Sequence, residues 1–440
     1  MKTKLIKLPY GGKLLYTPIT EVNGIQCEMH FGCGSWNDEK GKGGTAHFAE
    51  HVLAGFPTSK HTKEQRFEKA RSFQSCNAGT GKGDMFFYFA TIKSHFEEVV
   101  DHITETFDDV VITEEGFEKE RNIILDELRT RVKMNYDEYY QKVKAQLTTQ
   151  ENISQSVCIG GTEESVKALT IDDIKGFIDK YITLENLVMT VTGNISQKQV
   201  MSVVKRYIIP RLKKQGKKPF SIKDVQQNYW IKPQAIVNKS VEQGKAMLLF
   251  LYPLKFAPYT GNILDQDYCR RVVSPFLRKQ MHEKLRIEGG LCYSCSSFVY
   301  PDEAMFSCED TIEVAEENLD KLIDQYLDYL KCLPKDLDPE FFEREKRKIV
   351  ESENFDFDRL FSINARAFRF FDEFELLYSS KYRNYDIEQI QKLTYQQANE
   401  LYKSVYTQKP FIVIYTNDEK YMDKKTTNKI YAKIKKIKPW

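Results

Sequence analysis

No stretch of this 440-residue sequence is apolar for long enough to cross a bilayer. The longest such run, residues 246–254, is about half of the roughly 20 residues a spanning helix needs, and it reads as a buried strand. Charge of one sign is equally scarce. With 65 Lys+Arg against 63 Asp+Glu the formal charge is +2, so no overall basic field marks a nucleic-acid binder. Positive charge clusters at residues 210–219 and in the tail, 433–438, and each reads as a solvated face; neither a nucleic-acid nor a membrane partner is expected. Proline is sparse, at 14 residues, while aromatics reach 13%, which suits a chain that buries a core and argues against disorder.

Nine cysteines, an odd count scattered through apolar segments, suit reduced core thiols better than a disulfide framework. Cys292 and Cys295 form the one Cys-x-x-Cys. It falls in a strand-like stretch where a spacing of three puts the thiols on opposite faces, so neither a redox nor a metal role is expected of it. The opening residues, 1–12, are too charged for a signal-peptide core and lack the Arg/Ser-rich composition of a transit peptide, which predicts a cytoplasmic chain.

Taking the basic, proline-punctuated stretch as a linker over 211–222 divides the chain into two similar α+β domains, 1–210 and 223–440. In the first, strands near 4–17 and 24–34 precede helical patterns near 44–56, 62–75, 93–109 and 113–147, with a β-rich segment near 83–92 between them. A helix near 171–181 and a strand at 187–192 close it. The second repeats that logic: strands near 235–252, 291–300 and 304–312, helices near 262–285, 314–331 and 338–353, and a closing strand at 411–415. The pattern suggests a distant duplication without a residue-level repeat.

What stands out is a pair of histidines, His47 and His51, at i and i+4 of a predicted helix, with Glu50 between them. That spacing puts both imidazoles one turn apart on one face, where they can reach a single ion, and Glu50, at i+3 from His47, shares the face. A carboxylate beside such a site can act as general base on a metal-activated water. The other five histidines, at 30, 61, 95, 102 and 282, show no such spacing and read as surface or satisfied core residues. A catalytic zinc site wants three protein ligands, and the best source of the third is the helix after residue 113, where Glu120 and Glu127 lie seven apart along one face while Asp126 points roughly a hundred degrees away.

With these residues in place the sequence resembles the pitrilysin/insulinase family of zinc peptidases, the inverzincins. Residues 31–51 look like that family's glycine-serine strand end, acidic loop and helix bearing His-x-x-Glu-His, and 75 residues separate His51 from Glu127, similar to the family's spacing to its third ligand. The resemblance implies that His47, His51 and Glu127 hold one Zn2+ per chain, that Glu50 is the base, and that Glu120 supports the site without ligating. Asn77 and Ala78, followed by Thr80 and an aromatic strand, are similar to the edge strand on which the family lays its substrate. The segment 285–294 resembles its arginine-tyrosine segment, in which Arg286 and Tyr293 meet the substrate and the developing oxyanion. Gly79 stands where relatives often carry an aromatic, and the turn at 81–84 is one residue longer than usual.

As to fold, the resemblance implies two domains, each a mostly antiparallel sheet with helices on one face, together forming one half of a clamshell chamber. A second subunit, identical or related, is then expected, with Arg286 and Tyr293 acting on the partner's zinc. As to activity, it implies a zinc-dependent endopeptidase for unstructured peptides. Two other functions stay open: a dedicated leader-peptide maturation peptidase with a non-identical partner, and a non-catalytic structural subunit of the same family.

Overall fold

A computed structural model describes residues 3–73, 75–133, 158–217, 235–238, 243–254, 263–302, 305–353 and 391–434. They fall into two compact units. The first is built on six strands, β1 (Lys4–Lys7), β2 (Lys13–Pro18), β3 (Gly24–Phe31), β4 (Ser75–Thr80), β5 (Met85–Ile92) and β6 (Leu187–Gly193), in the order β1-β2-β6-β3-β5-β4. Every neighbouring pair is antiparallel except β2 and β6, which are parallel. Alternation along β3 separates two faces: Ile25, Cys27, Met29 and Phe31 enter the hydrophobic core, while Gln26, Glu28 and His30 lie on the opposite face.

Helices cover the apolar face. They are α1 (Thr45–Gly55), α2 (Lys63–Arg71), α3 (Phe96–Thr104), α4 (Thr106–Asp109), α5 (Glu114–Lys133), α6 (Glu163–Ala168), α7 (Ile171–Tyr181) and α8 (Gln197–Val203). Phe48 and Val52 of α1, Phe117, Ile124 and Leu128 of α5, and Ile174 and Phe177 of α7 share one core with the strand residues. Phe48 stacks on Phe117 at 4.5 Å between ring centroids, which fixes α1 against α5.

The second unit has five strands, β7 (Ala235–Asn238), β8 (Lys245–Pro253), β9 (Cys292–Asp302), β10 (Met305–Ala315) and β11 (Phe411–Tyr415), in the order β7-β11-β8-β10-β9. Here the first pair is parallel and the rest are antiparallel. This is the connectivity of β2-β6-β3-β5-β4, so the duplication suggested by pattern is present in topology, and β9 takes the edge position that β4 takes in the first unit. The helices are α9 (Ile263–Met281), α10 (Leu319–Cys332), α11 (Pro339–Glu353), α12 (Tyr395–Ser404) and α13 (Lys424–Ile434). At the centre of this unit, fully buried Asp310 accepts hydrogen bonds from the hydroxyls of Tyr326 (2.7 Å) and Tyr406 (3.0 Å).

Three expectations change. The helix expected over 62–75 stops at Arg71, because Asn77 and Gly79 are poor helix formers and the backbone of 75–80 pairs with β5 instead. The strands expected near 235–252 are β7 and β8, with Gly244 at φ +76° in the turn before β8. The basic stretch is no free linker as far as it is described: Leu212 is buried, and the N–H of Lys217 donates to the Lys180 carbonyl at 2.7 Å. Its remainder, through 222, and the part of the long helix expected beyond Lys133 lie outside the described residues. The third change, at Cys292 and Cys295, is taken up below.

Candidate metal centre

Helix α1 starts at a crowded corner. Gly44 there has φ +90°, and a Cβ on it would come within 2.5 Å of the Gly160 carbonyl; Gly161, at φ +77°, would meet the Gly43 carbonyl at 2.3 Å. Only glycines allow these two chain segments to touch. The Asp38 carboxyl accepts from the N–H groups of Gly44 (2.8 Å) and Ala46 (2.9 Å), supplying the acceptors that a helix start lacks, while burial pushes its pKa up to about 8 despite these bonds.

From this start the i, i+4 spacing places His47 and His51 with ring centroids 4.7 Å apart. Glu127, reaching in from α5, brings Oε2 to 3.7 Å from the Nε2 atoms of both histidines. One ligand atom from each of the three lies within 4.8 Å of the others, the only such group among the described residues. A tetrahedral ion with bonds of about 2.0–2.1 Å separates its ligand atoms by about 3.3 Å, close to the 3.7 Å from Glu127 to each imidazole. Two imidazoles and a carboxylate, with a further position open, form a donor set that suits a catalytic zinc-type ion.

Glu50 is buried on the same face, where its Oε2 accepts the hydroxyl of Thr80 at 3.4 Å. Burial raises its pKa, against the attraction of His51 and with the repulsion of Glu127. Glu120 holds the far side of His51, with 2.9 Å between Oε1 and Nδ1, and its other oxygen takes the Lys63 ammonium at 2.9 Å. Burial alone would lower the pKa of His51; the bond to Glu120, with the nearby carboxylates, reverses this and raises it. Burial likewise favours neutral Glu120, but His51 and Lys63 hold its pKa below the usual value.

The first unit therefore unites His47, Glu50, His51, Glu120 and Glu127. Lys63, not singled out in the sequence, joins them, as does Thr80, which the sequence pointed to only as part of the substrate-edge strand. Lys63 opens α2 just after the Thr62 cap, a position that signals a helix start but not which neighbour its side chain reaches. Thr80 ends β4, and only the packing of that edge strand by α1 brings it to Glu50. Asn77 and Ala78 lie on β4 as expected: Asn77 is exposed, Ala78 half-buried, and among the described residues β4 has β5 on one side and no strand on the other. Arg286 and Tyr293 belong to the second unit. Arg286 is exposed near the end of the wide helical turn His282–Glu288, and Tyr293, 58% exposed, sits at an irregularity in β9.

Residues 21–158 match a family model described as insulinase (peptidase family M16), and residues 168–349 match one described as peptidase M16 inactive domain. An uncharacterized zinc protease of Rickettsia felis is 22% identical over 307 residues, which is 68% of this chain and 71% of that one. Among solved structures, a peptidase M16 inactive domain from Pseudomonas fluorescens superposes with a TM-score of 0.75 at 15% identity, over 94% of this chain and 98% of the other. The periplasmic protease PqqL from Escherichia coli superposes with a TM-score of 0.76 at 14% identity, over 99% of this chain but 50% of its own.

Proposed function

Since the chain belongs to the insulinase family, peptidase family M16, we propose that it is a zinc-dependent endopeptidase acting on unstructured peptides. The observation that carries this reading is the convergence of His47, His51 and Glu127 with the buried carboxylate of Glu50 on the same helix face. His47, His51 and Glu127 would hold the zinc ion. Bound there, zinc would supply a lowered water pKa and polarise the scissile carbonyl.

The chain's own residues do the rest. Glu50, its carboxyl raised by burial, takes a proton from the attacking water and passes it to the leaving amine. Thr80 keeps that carboxylate pointed at the site. Glu120 fixes the His51 ring through Nδ1, leaving Nε2 for the ion. A substrate strand adds to the open side of β4 beside Asn77 and Ala78, so that backbone hydrogen bonds provide affinity and the flanking surface provides preference.

Arg286 and Tyr293 bind the substrate and donate to the developing oxyanion, where one donor is typically worth about 3 kcal/mol. They act on the zinc centre of a second subunit, a reading supported by the match of this chain to half of a longer protease fold. A cytoplasmic homodimer, or a pair with a related chain, would provide this.

The test is Glu50→Gln. The variant should retain bound zinc and lose about 10²–10⁴-fold in kcat on a flexible peptide. Undiminished hydrolysis by zinc-loaded Glu50→Gln would reject the mechanism. Mixing this variant with Tyr293→Phe should restore part of the activity through mixed dimers; no recovery in a verified mixed dimer would reject action across subunits.

A further inference from the structure

Cys292 and Cys295 are three apart in sequence, which in a regular strand would send their side chains to opposite faces. The register of β9 shows otherwise. Cys292 aligns with Val314, Ser294 with Glu313 and Cys295 with Ile312, so Tyr293 is an extra residue bulged out of the ladder. Val314 and Ile312 are two apart on β10 and both fully buried, so the residues opposite them share the inner face. The burial pattern agrees: Cys292, Ser297 and Val299 are buried and Cys295 is half-buried, while Tyr293 and Ser294 are exposed. The bulge thus makes Cys292 and Cys295 neighbours on one face, separated by two ladder steps, or about 7 Å along the strand.

That spacing is at the upper end of the Cα separations, about 4.4–6.8 Å, that a disulfide bridges. Interaction with Cys295, a backbone hydrogen bond and the nearby Arg286 charge together outweigh burial and bring the Cys292 thiol down to about 7. The same interaction, together with burial, pushes the Cys295 thiol up. Both are free thiols in the structure, and they sit on an edge strand beside an exposed bulge. One thiol that ionises near neutral pH and an adjacent one that resolves it form the working parts of a redox pair.

We propose that Cys292 and Cys295 are a reversible dithiol–disulfide site that controls the shape of the Tyr293 bulge. The Cys292 thiolate attacks one sulfur of a small-molecule disulfide, forming a mixed disulfide and releasing one thiolate. Cys295 then loses its proton, and its sulfur attacks that of Cys292, forming the Cys292–Cys295 bond and releasing the second thiolate. The two cysteine protons end on the two released thiols, and two electrons pass from the cysteine pair to the small disulfide. Closing the bond draws two strand positions together around Tyr293, and the resulting strain makes the bond easy to reduce. The thiol chemistry stands on the bulge alone; its effect on cleavage rests on the role proposed above for Arg286 and Tyr293.

The test equilibrates the full chain in buffers of reduced and oxidised glutathione, quenches by alkylation, and maps cysteines by proteolysis and mass spectrometry. A Cys292–Cys295 linkage should appear under oxidising buffers and vanish on reduction, and Cys295→Ser should instead trap glutathione on Cys292. Full alkylation of both cysteines at every ratio, in wild type, would overturn the proposal. Where the linkage forms, hydrolysis of a flexible peptide should fall at least tenfold and recover on reduction. Unchanged hydrolysis by the linked form would overturn control of the Tyr293 bulge, whereas an inactive reduced enzyme with zinc bound would instead count against the peptidase reading.

Discussion

Glu120 holds the Nδ1 side of His51, which would decide which nitrogen of His51 an ion can take. Its hydrogen bond to Nδ1 leaves Nε2 directed at Glu127, and Lys63 fixes Glu120 in turn. Replacing Glu120 with Gln keeps the shape but weakens the acceptor, so zinc affinity should fall about 10–100-fold in competition with a chromophoric chelator. Unchanged affinity would show that His51 is held by packing alone. At this scale the sequence is most informative, because His47, Glu50 and His51 are neighbours by helical spacing and need no knowledge of the fold. The contacts of Lys63 with Glu120 and of Thr80 with Glu50 were not legible, since each is a tertiary contact between separate elements, and such contacts leave no spacing to read.

Among the elements, α1 depends on the corner where it begins. Gly44 and Gly161 combine positive φ with backbone contacts that a methyl group would bring to 2.5 Å and 2.3 Å. Gly161→Ala should cost at least about 1–3 kcal/mol in urea unfolding, and more if the clash spreads to the start of α1. If stability were unchanged, the close approach of 43–44 to 160–161 would not exist in solution. Strand and helix types were largely readable from periodicity, and the failures have specific causes. Helix α2 ends early because a sheet edge recruits the residues after it. The bulge at Tyr293 was invisible because alternation assumes one residue per ladder step, and a single extra residue reverses the face of everything before it.

For the molecule as a whole, the two units repeat one topology but put different chemistry at their centres. The second unit buries Asp310 among Tyr326, Tyr406, Ser297 and Cys308. Burial pushes this carboxyl up to about 6 despite those four donors. The folded chain therefore binds this proton more tightly than the unfolded chain does. Its contribution to stability is full below the ordinary carboxylate pKa and is lost as pH rises through about 6. The change is roughly 3 kcal/mol across that window. Asp310→Asn should remove this component, so that the stability difference between variant and wild type varies between pH 4 and 7; a constant difference would show that Asp310 does not titrate there. None of this hub was foreseen, because its residues come from three separate parts of the chain. The repeated architecture, by contrast, was visible in the order of strands and helices before any residue-level similarity.

The central claim is that this chain is itself a metal-dependent peptidase, and one measurement addresses it directly. The purified full chain is incubated with a mixed library of unstructured peptides, with and without chelator, and the products are read by mass spectrometry alongside bound-metal content. The account predicts about one zinc per chain and internal cleavage that stops with chelator and returns with added zinc. Cleavage indifferent to chelator, or zinc-loaded dimers that leave every peptide intact, would contradict it.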